Sequence, residues 1–348
     1  METKRVYVNP LDPDEALLEE AARLLNQGEI VAFPTETVYG LGAKAFDRQA
    51  CAKIYAVKGR PQDNPLILHV ASIEMARDLA RDWPETAERC AQKFWPGPLT
   101  LVVAKKPGIP DEVTGGLPSV GIRLPSHPVA KALIAKAGFP IAAPSANLSG
   151  KPSPTSGYHV WRDLRGKILL ILDAGICAVG LESTVLDLST AQPTILRPGG
   201  VSREQLEAVL GPVALDQPNH RQPPKAPGMK YRHYAPRGEM TVMIGSRDNI
   251  LKGMREEIRK ARRRMKKIGI LCTLESVSQL HHELPDLLYV MGSEKRPAEV
   301  AANVFEGLRL CDERQIDVIL AEGVDEGGIG LAVMNRLTKA AGHKILKV

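Results

Sequence analysis

The chain is 348 residues long, 44% apolar and 25% charged, which is enough for two domains with full cores and excludes a disordered or fibrous chain. Its net charge of +6 is uneven: Lys and Arg balance Asp and Glu 23 to 23 over residues 1–215, outnumber them 5 to 1 over 216–238, and lead 18 to 16 over 239–348, so a broad nucleic-acid face is excluded from the first domain. Cys51, Cys90, Cys177, Cys272 and Cys311 are odd in number and scattered, which excludes a disulfide framework or a zinc ribbon, and no apolar run reaches the roughly 18 to 20 residues that span a bilayer. Reduced thiols, a cytoplasmic location and no membrane anchor are the expectations.

In chain order, the pattern predicts a short strand after the N-terminus, a strand over Ile30–Phe33, a helix near 47–57, a strand over Leu66–Val70, helices within 72–93 and a strand over Leu99–Val103. Strands follow over Val120–Arg123, 140–143, 168–172, 183–187 and 194–197, with a helix near 128–137 before the second of these. The late strands crowd together without helices between them, and parallel neighbours need crossovers of about a dozen residues or more. A twisted mixed sheet with helices around an open cavity is therefore expected, rather than a doubly wound parallel one. Residues 211–238 hold six prolines among polar and basic residues and predict a connector that is neither helix nor central strand. Beyond Gly238, strands at 240–244, 268–271, 287–290 and 317–320 alternate with helices near 247–266, 298–313 and from about 331, as in a small Rossmann-like parallel α/β domain. The expected division is 1–212, a connector over 213–238, and 239–348.

The loop from Ser145 to Thr155 (SANLSGKPSPT) follows an apolar strand and stacks hydroxyls, an amide and an ammonium, the equipment of an anion site. Lys58-Gly59-Arg60 adds fixed cations of the kind a triphosphate needs, which together point to an ATP-using enzyme. Thr35 and Thr37, in PTETVYGLG, either reach a crevice at a strand end or cap a following helix, and the second reading is preferred from sequence. His69 lies in an alternating apolar run and reads as a core histidine. Arg123 and Arg197 each close an apolar strand, where a pocket rim commonly forms. The run Arg259–Lys267 holds seven cations in nine residues; it reads as the solvated C-terminal end of a helix, with RNA phosphate binding as the competitor. Gly328-Ile329-Gly330 is too short for a dinucleotide fingerprint, and no Walker loop, Gly-x-Ser-x-Gly elbow or His-Glu-x-x-His occurs.

The order PTETVYGLGA, KGRPQDNPL, FWPGPLT, GIRLP, PSANLSGKPSPT, ESTVLDL, ILRPG and a connector ending HYAP resembles the two-domain form of the YrdC-type threonylcarbamoyl-AMP synthase family over nearly the full chain. The resemblance implies synthesis of L-threonylcarbamoyladenylate and pyrophosphate from L-threonine, bicarbonate or CO2 and ATP, with Mg2+ held mainly through ATP phosphates. The product would pass to a downstream tRNA threonylcarbamoyl transferase for N6-threonylcarbamoyladenosine at tRNA position 37, with at most a weak tRNA contact by this chain. By the same resemblance Lys58 and Arg60 are the catalytic cations. Thr35, His69, Arg123, Ala143 and Ser183 would hold threonine. Asn64, Ser119, Ser145, Asn147, Ser153, Arg197 and Tyr234 would join Lys58 and Arg60 on ATP, and the connector carrying Tyr234 would close over the site as a lid. Lys44 stands where the family pattern implies asparagine, and is expected to add a cation beside the threonine loop. Two alternatives are weighed against this: a double-stranded RNA or tRNA-binding module without turnover, suggested by the basic connector and the 259–267 run, and carbamoyl transfer in hydrogenase maturation, against which the lack of an acylphosphatase-like segment and of Cys-x-x-Cys fingers argues.

Overall fold

The computed structural model describes residues 2–216 and 233–348, which divide into two units. The first takes the chain up to the connector, apart from Gly150–Pro152 and Val179–Leu181, which group with the second.

In the first unit eleven strands form one mixed sheet: β1 (Lys4–Tyr7), β2 (Val31–Phe33), β3 (Gly40–Lys44), β4 (Ile67–His69), β5 (Leu99–Ala104), β6 (Ser119–Arg123), β7 (Ile141–Ala143), β8 (Leu170–Asp173), β9 (Thr184–Asp187), β10 (Thr194–Arg197) and β11 (Ala214–Leu215), in the order β1-β8-β2-β3-β7-β4-β6-β5-β9-β10-β11. β4 runs parallel to β6 with His69 opposite Arg123, and antiparallel to β7 with Ile67 opposite Ala143. The expected mixed sheet is thus present. The crowded late strands are accommodated by antiparallel pairing of β9 with β10.

Around it stand α1 (Glu15–Asn26), α2 (Arg48–Lys58), α3 (Ile73–Arg77), α4 (Glu85–Phe94), α5 (Asp111–Thr114), α6 (Pro128–Ala137), α7 (Gly157–Leu164) and α8 (Arg203–Leu210). α1 starts at Asp14, whose carboxylate accepts from Leu17 N, and buries Leu18, Ala21, Ala22 and Leu25; α6 starts with Pro128 and stops at Gly138 with φ +74°. These two helices share a core with Val31, Phe33, Ile141, Ala143, Leu170 and Leu172. The other face of the sheet, with Leu41, Leu68, Leu101, Val120, Ile122 and Ala142, packs into the main core with α2, α4 and α7.

Side chains alternate across a strand, so Ser119, Gly121 and Arg123 leave β6 on the face opposite Val120 and Ile122. Their strand partners place Ile67, His69 and Val102 beside them. On that half of the face the described apolar cluster is only Val102, Val185 and Leu196. Polar side chains therefore occupy it.

β3 was not expected. The sequence reading placed no strand here and preferred Thr35 and Thr37 as caps of a following helix, yet Gly40–Lys44 pairs antiparallel with β2 and β7. Packing is the reason: a Cβ on Gly42 would sit 2.6 Å from Ile141 Cγ2, and one on Gly40 would sit 3.0 Å from Phe33 Cζ. The glycines let an aromatic ring lie flat on the strand.

In the second unit β12 (Glu239–Ile244), β13 (Ile268–Thr273), β14 (Leu287–Gly292), β15 (Val318–Glu322) and β16 (Ile345–Lys347) form a sheet in the order β14-β13-β15-β12-β16, with all four pairings parallel. α9 (Arg247–Arg263), α10 (Val277–His281), α11 (Pro297–Glu313) and α12 (Gly330–Ala340) connect its strands, the crossovers that a parallel sheet demands. This is the expected Rossmann-like layer.

Candidate active site

α2 carries its C-terminal lysine inward. Asp47 caps the helix by accepting from Ala50 N at 3.0 Å, and Gly59 ends it at φ +61°. Cys51, Ile54, Tyr55 and Lys58 are spaced i, i+3, i+4 and i+7, so all four lie on the buried stripe. The Lys58 ammonium donates to the main-chain carbonyls of Ser145 and Asn147, and Asn147 Oδ1 is 3.5 Å away. Ser145 Oγ donates to Asn147 Oδ1 at 2.5 Å, and Ser149 N donates to Lys58 O at 2.9 Å. Arg60 folds back on its own loop, donating from Nε to Asn64 O at 3.1 Å and from Nη2 to Pro65 O at 2.9 Å. Asn64 is buried, and its Oδ1 has no protein partner. The loops around Lys58 and Ser145, 87 residues apart, are thus one structure.

The Thr35–Tyr39 segment continues it. Tyr39 N donates to Pro154 O and Ala146 N to Tyr39 O, while Tyr39 Oη donates to Gly175 O at 2.8 Å. The hydroxyls of Thr35 and Thr37 cap no helix, which corrects the reading preferred from sequence. Arg123 Nη1 donates to Thr37 Oγ1 at 2.7 Å, the two hydroxyls are 2.8 Å apart, and Thr35 Oγ1 donates to Val38 O at 2.6 Å. Guanidinium can only donate and a carbonyl can only accept, so Thr37 must donate to Thr35 and the chain has one direction.

Arg123 and Glu36 form a buried ion pair, Nη2 to Oε1 at 2.6 Å, and Arg123 Nε donates to Gly97 O at 3.3 Å. Burial alone would raise the Glu36 carboxyl, but the charge and hydrogen bond of Arg123, helped by the main chain at Glu36 and Ser126, outweigh it and hold it below the usual carboxylate range. His69, beside Arg123 in register, is pushed down to about 3, by burial first and the Arg123 guanidinium second. Its Nδ1 is 3.2 Å from Ile67 O, which assigns the proton to Nδ1 and leaves Nε2 as an acceptor. His69 is therefore a buried neutral base, and it borders the Arg123 group rather than filling core alone.

Ser183 joins Thr100 to Arg197. Its Oγ lies 2.8 Å from Thr100 Oγ1, and Arg197 Nη2 donates to Ser183 O at 2.9 Å and reaches Ser183 Oγ at 3.3 Å. Gly199 is required here, because a Cβ would stand 2.3 Å from the carbonyl carbon of Ser183. Ser119 shares the β6 face with Arg123, and Ala143 lies opposite Ile67 on the neighbouring strand.

Of the residues assigned by resemblance, those in the first unit come from β4, β6, β7 and β10, from the end of α2 and the loop after it, and from the loops that follow β2 and β7 and precede β9. Tyr234 falls in the second unit, at φ +62°, with its ring 5.1 Å from Phe305 and the Arg336 guanidinium 5.5 Å from the ring centre. The expected lid, with Lys230, Tyr231 and Arg232, lies outside the described residues. Lys44 does not add a cation beside the threonine loop: β3 carries it away, and its ammonium donates to Asn26 Oδ1 at 2.8 Å on the surface. The 259–267 run behaves as the solvated end of α9, its cations exposed, with Lys260 paired to Glu257 and Lys266 to Asp317.

Sequence reading missed two buried carboxylates. Glu36 holds Arg123, and Glu182 Oε1 accepts from Ser153 Oγ at 2.6 Å. The available signal was an acid inside each polar motif, PTETV and LESTV. The five cysteines are free and buried, and among the described residues no helix is long and apolar enough to cross a membrane.

The Sua5/YciO/YrdC family model, described as "Telomere recombination", matches residues 23–199, and the model described as "Threonylcarbamoyl-AMP synthase, C-terminal domain" matches residues 201–342. A threonylcarbamoyl-AMP synthase of Pyrococcus abyssi is 47% identical over 96% of this chain and 97% of its own. One of Bacillus subtilis is 45% identical over the whole of both chains. The crystal structure of P. abyssi Sua5 complexed with L-threonine superposes with a TM-score of 0.94 over 99% of this chain and 100% of that one. The chain belongs to the threonylcarbamoyl-AMP synthase family, in its two-domain form.

Proposed function

We propose that this protein is an L-threonylcarbamoyladenylate synthase, a nucleotidyltransferase that joins L-threonine, bicarbonate or CO2 and the AMP part of ATP and releases pyrophosphate. What carries the reading is likeness along essentially the whole chain to relatives named for that activity. The amine of threonine captures CO2, forming a C–N bond and losing a proton. An oxygen of the resulting carbamate attacks the α-phosphorus of ATP, and pyrophosphate leaves. No covalent enzyme nucleophile is needed, so the task is to hold anions in line with preorganised cations and dipoles.

In this reading Lys58 and Arg60 are the catalytic cations and bind the triphosphate. Asn64, Ser119, Ser145, Asn147, Ser153, Arg197 and Tyr234 complete the nucleotide side, and Thr35, His69, Arg123, Ala143 and Ser183 take threonine. The linked loops of Lys58 and Ser145, and the directed chain from Arg123 through Thr37 to Thr35, support that division. Mg2+ is the implied metal, and it binds through phosphate oxygens and water when it accompanies a nucleotide. Among the described residues no group of three or more His, Cys, Asp or Glu side chains stands ready to cage it. The adenylate passes to a downstream tRNA threonylcarbamoyl transferase in the cytoplasm, for modification of position 37. Any weak tRNA contact falls to the exposed cations at the end of α9.

Purified protein given ATP, Mg2+, bicarbonate and threonine is expected to release pyrophosphate only when threonine is present. Release that ignores threonine counts against the reading.

A further inference from the structure

The Arg123–Glu36 pair is incompletely satisfied on both sides. Arg123 has five N–H groups, and three have protein acceptors: Gly97 O for Nε, Thr37 Oγ1 for Nη1 and Glu36 Oε1 for Nη2. One N–H on each Nη is left over. Glu36 uses Oε1 for Arg123, while Oε2 is buried with no hydrogen-bond partner. Both residues are more than nine-tenths buried, Arg123 being 4% and Glu36 8% exposed. An ionised oxygen left without a donor in such a place is costly, and buried carboxylates are ordinarily bonded through both oxygens.

These unmatched groups are two donors on a cation and one acceptor on an anion, side by side. The complement is a small molecule bearing a carboxylate and an ammonium on neighbouring atoms. That is an α-amino acid in its zwitterionic form.

We propose that Glu36 is a specificity-determining residue of the amino-acid site: its Oε2 accepts the substrate's α-ammonium while the spare Arg123 N–H groups take the α-carboxylate. The proposal deepens the synthase reading and rests on it. Glu36 positions the ammonium and does not carry away its proton, since the adjacent guanidinium keeps the carboxylate ionised. It also explains why a cation meant for a substrate carboxylate is already paired. An isolated guanidinium would bind any small anion, whereas the pair favours a ligand that carries both charges.

The test is calorimetric binding to the full chain of L-threonine and of 3-hydroxybutyrate, which keeps the carboxylate, hydroxyl and carbon chain but lacks the amine. The wild type is expected to prefer threonine by about 10- to 100-fold, the worth of one hydrogen bond to a charged group. In Glu36→Gln that preference is expected to collapse toward unity, mainly through loss of threonine affinity, and Glu36→Asp is expected to restore part of it. Equal binding of the two ligands by the wild type overturns the proposal without any variant having to fold. So does an equal loss of both ligands in a folded Glu36→Gln, which would make Glu36 only a support for Arg123. A wild type that binds no threonine at all instead removes the synthase reading on which the proposal stands.

Discussion

The ammonium of Lys58 lies against the main-chain carbonyls of Ser145 and Asn147, tying the end of α2 to the loop that follows β7. A cation on a buried helical stripe is costly unless its charge is used, and here it organises two loops whose residue types suit a triphosphate. Lys58→Ala is expected to lower kcat/KM by about 100-fold or more, as loss of a preorganised charge at a reacting group does. Circular dichroism should show an unchanged fold. Near-full turnover by a folded Lys58→Ala protein would remove the phosphate role.

Arg123 and Glu36 should be coupled in stability. Arg123→Met leaves a buried carboxylate without its cation and is expected to cost about 3–5 kcal/mol in urea unfolding. Adding Glu36→Gln in the same chain should recover a large part of that loss. Additive effects of the two substitutions would show that the pair is not energetically joined.

Acidification should destabilise the first unit by a route that can be isolated. His69 is held at about 3 in the folded chain, against about 6.5 unfolded, so between these values the unfolded chain binds more protons. Its contribution is therefore full above about 6.5 and is lost progressively as pH falls toward 3. Glu36, also depressed, acts with the same sign at lower pH, its contribution lost as pH falls through its folded value. His69→Gln should flatten the fall in thermal midpoint between pH 6.5 and 4.5, and an unaltered slope would show that the imidazole titrates freely.

Gly199 lets one backbone lie on another. A methyl there would stand 2.3 Å from the Ser183 carbonyl carbon and from Thr184 N, so the ILRPG turn or the Ser183 strand end must move. Gly199→Ala is expected to destabilise by about 2 kcal/mol or more and to displace Arg197 from Ser183. A thermal midpoint within a degree or two of the parent would contradict this.

Much of this site was legible because polar residue types stood out against apolar strands. Ser145, Asn147, Arg123 and Arg197 were each marked by a cation or a cluster of donors at the end of an apolar strand, and Lys58 by its pairing with Arg60 in one loop. What stayed hidden depended on partners distant in sequence. Nothing local told that Gly40 and Gly42 belong to a strand, since the reason is the ring of Phe33 and the side chain of Ile141 above them. Thr37 looked like a helix cap because its acceptor role depends on a guanidinium 86 residues away. Glu36 and Glu182 read as ordinary acids until Arg123 and Ser153 were placed beside them. The fold class was easier, because crossover length limits which strands can run parallel, and that limit is local.

The most direct measurement follows radiolabelled bicarbonate through the reaction. With ATP, Mg2+ and L-threonine, the label is expected to appear in an adenylate that also contains threonine, in step with pyrophosphate, and Lys58→Ala should slow both together by about 100-fold or more. Label that stays in bicarbonate while ATP is consumed, or enters an adenylate without threonine, would contradict the account.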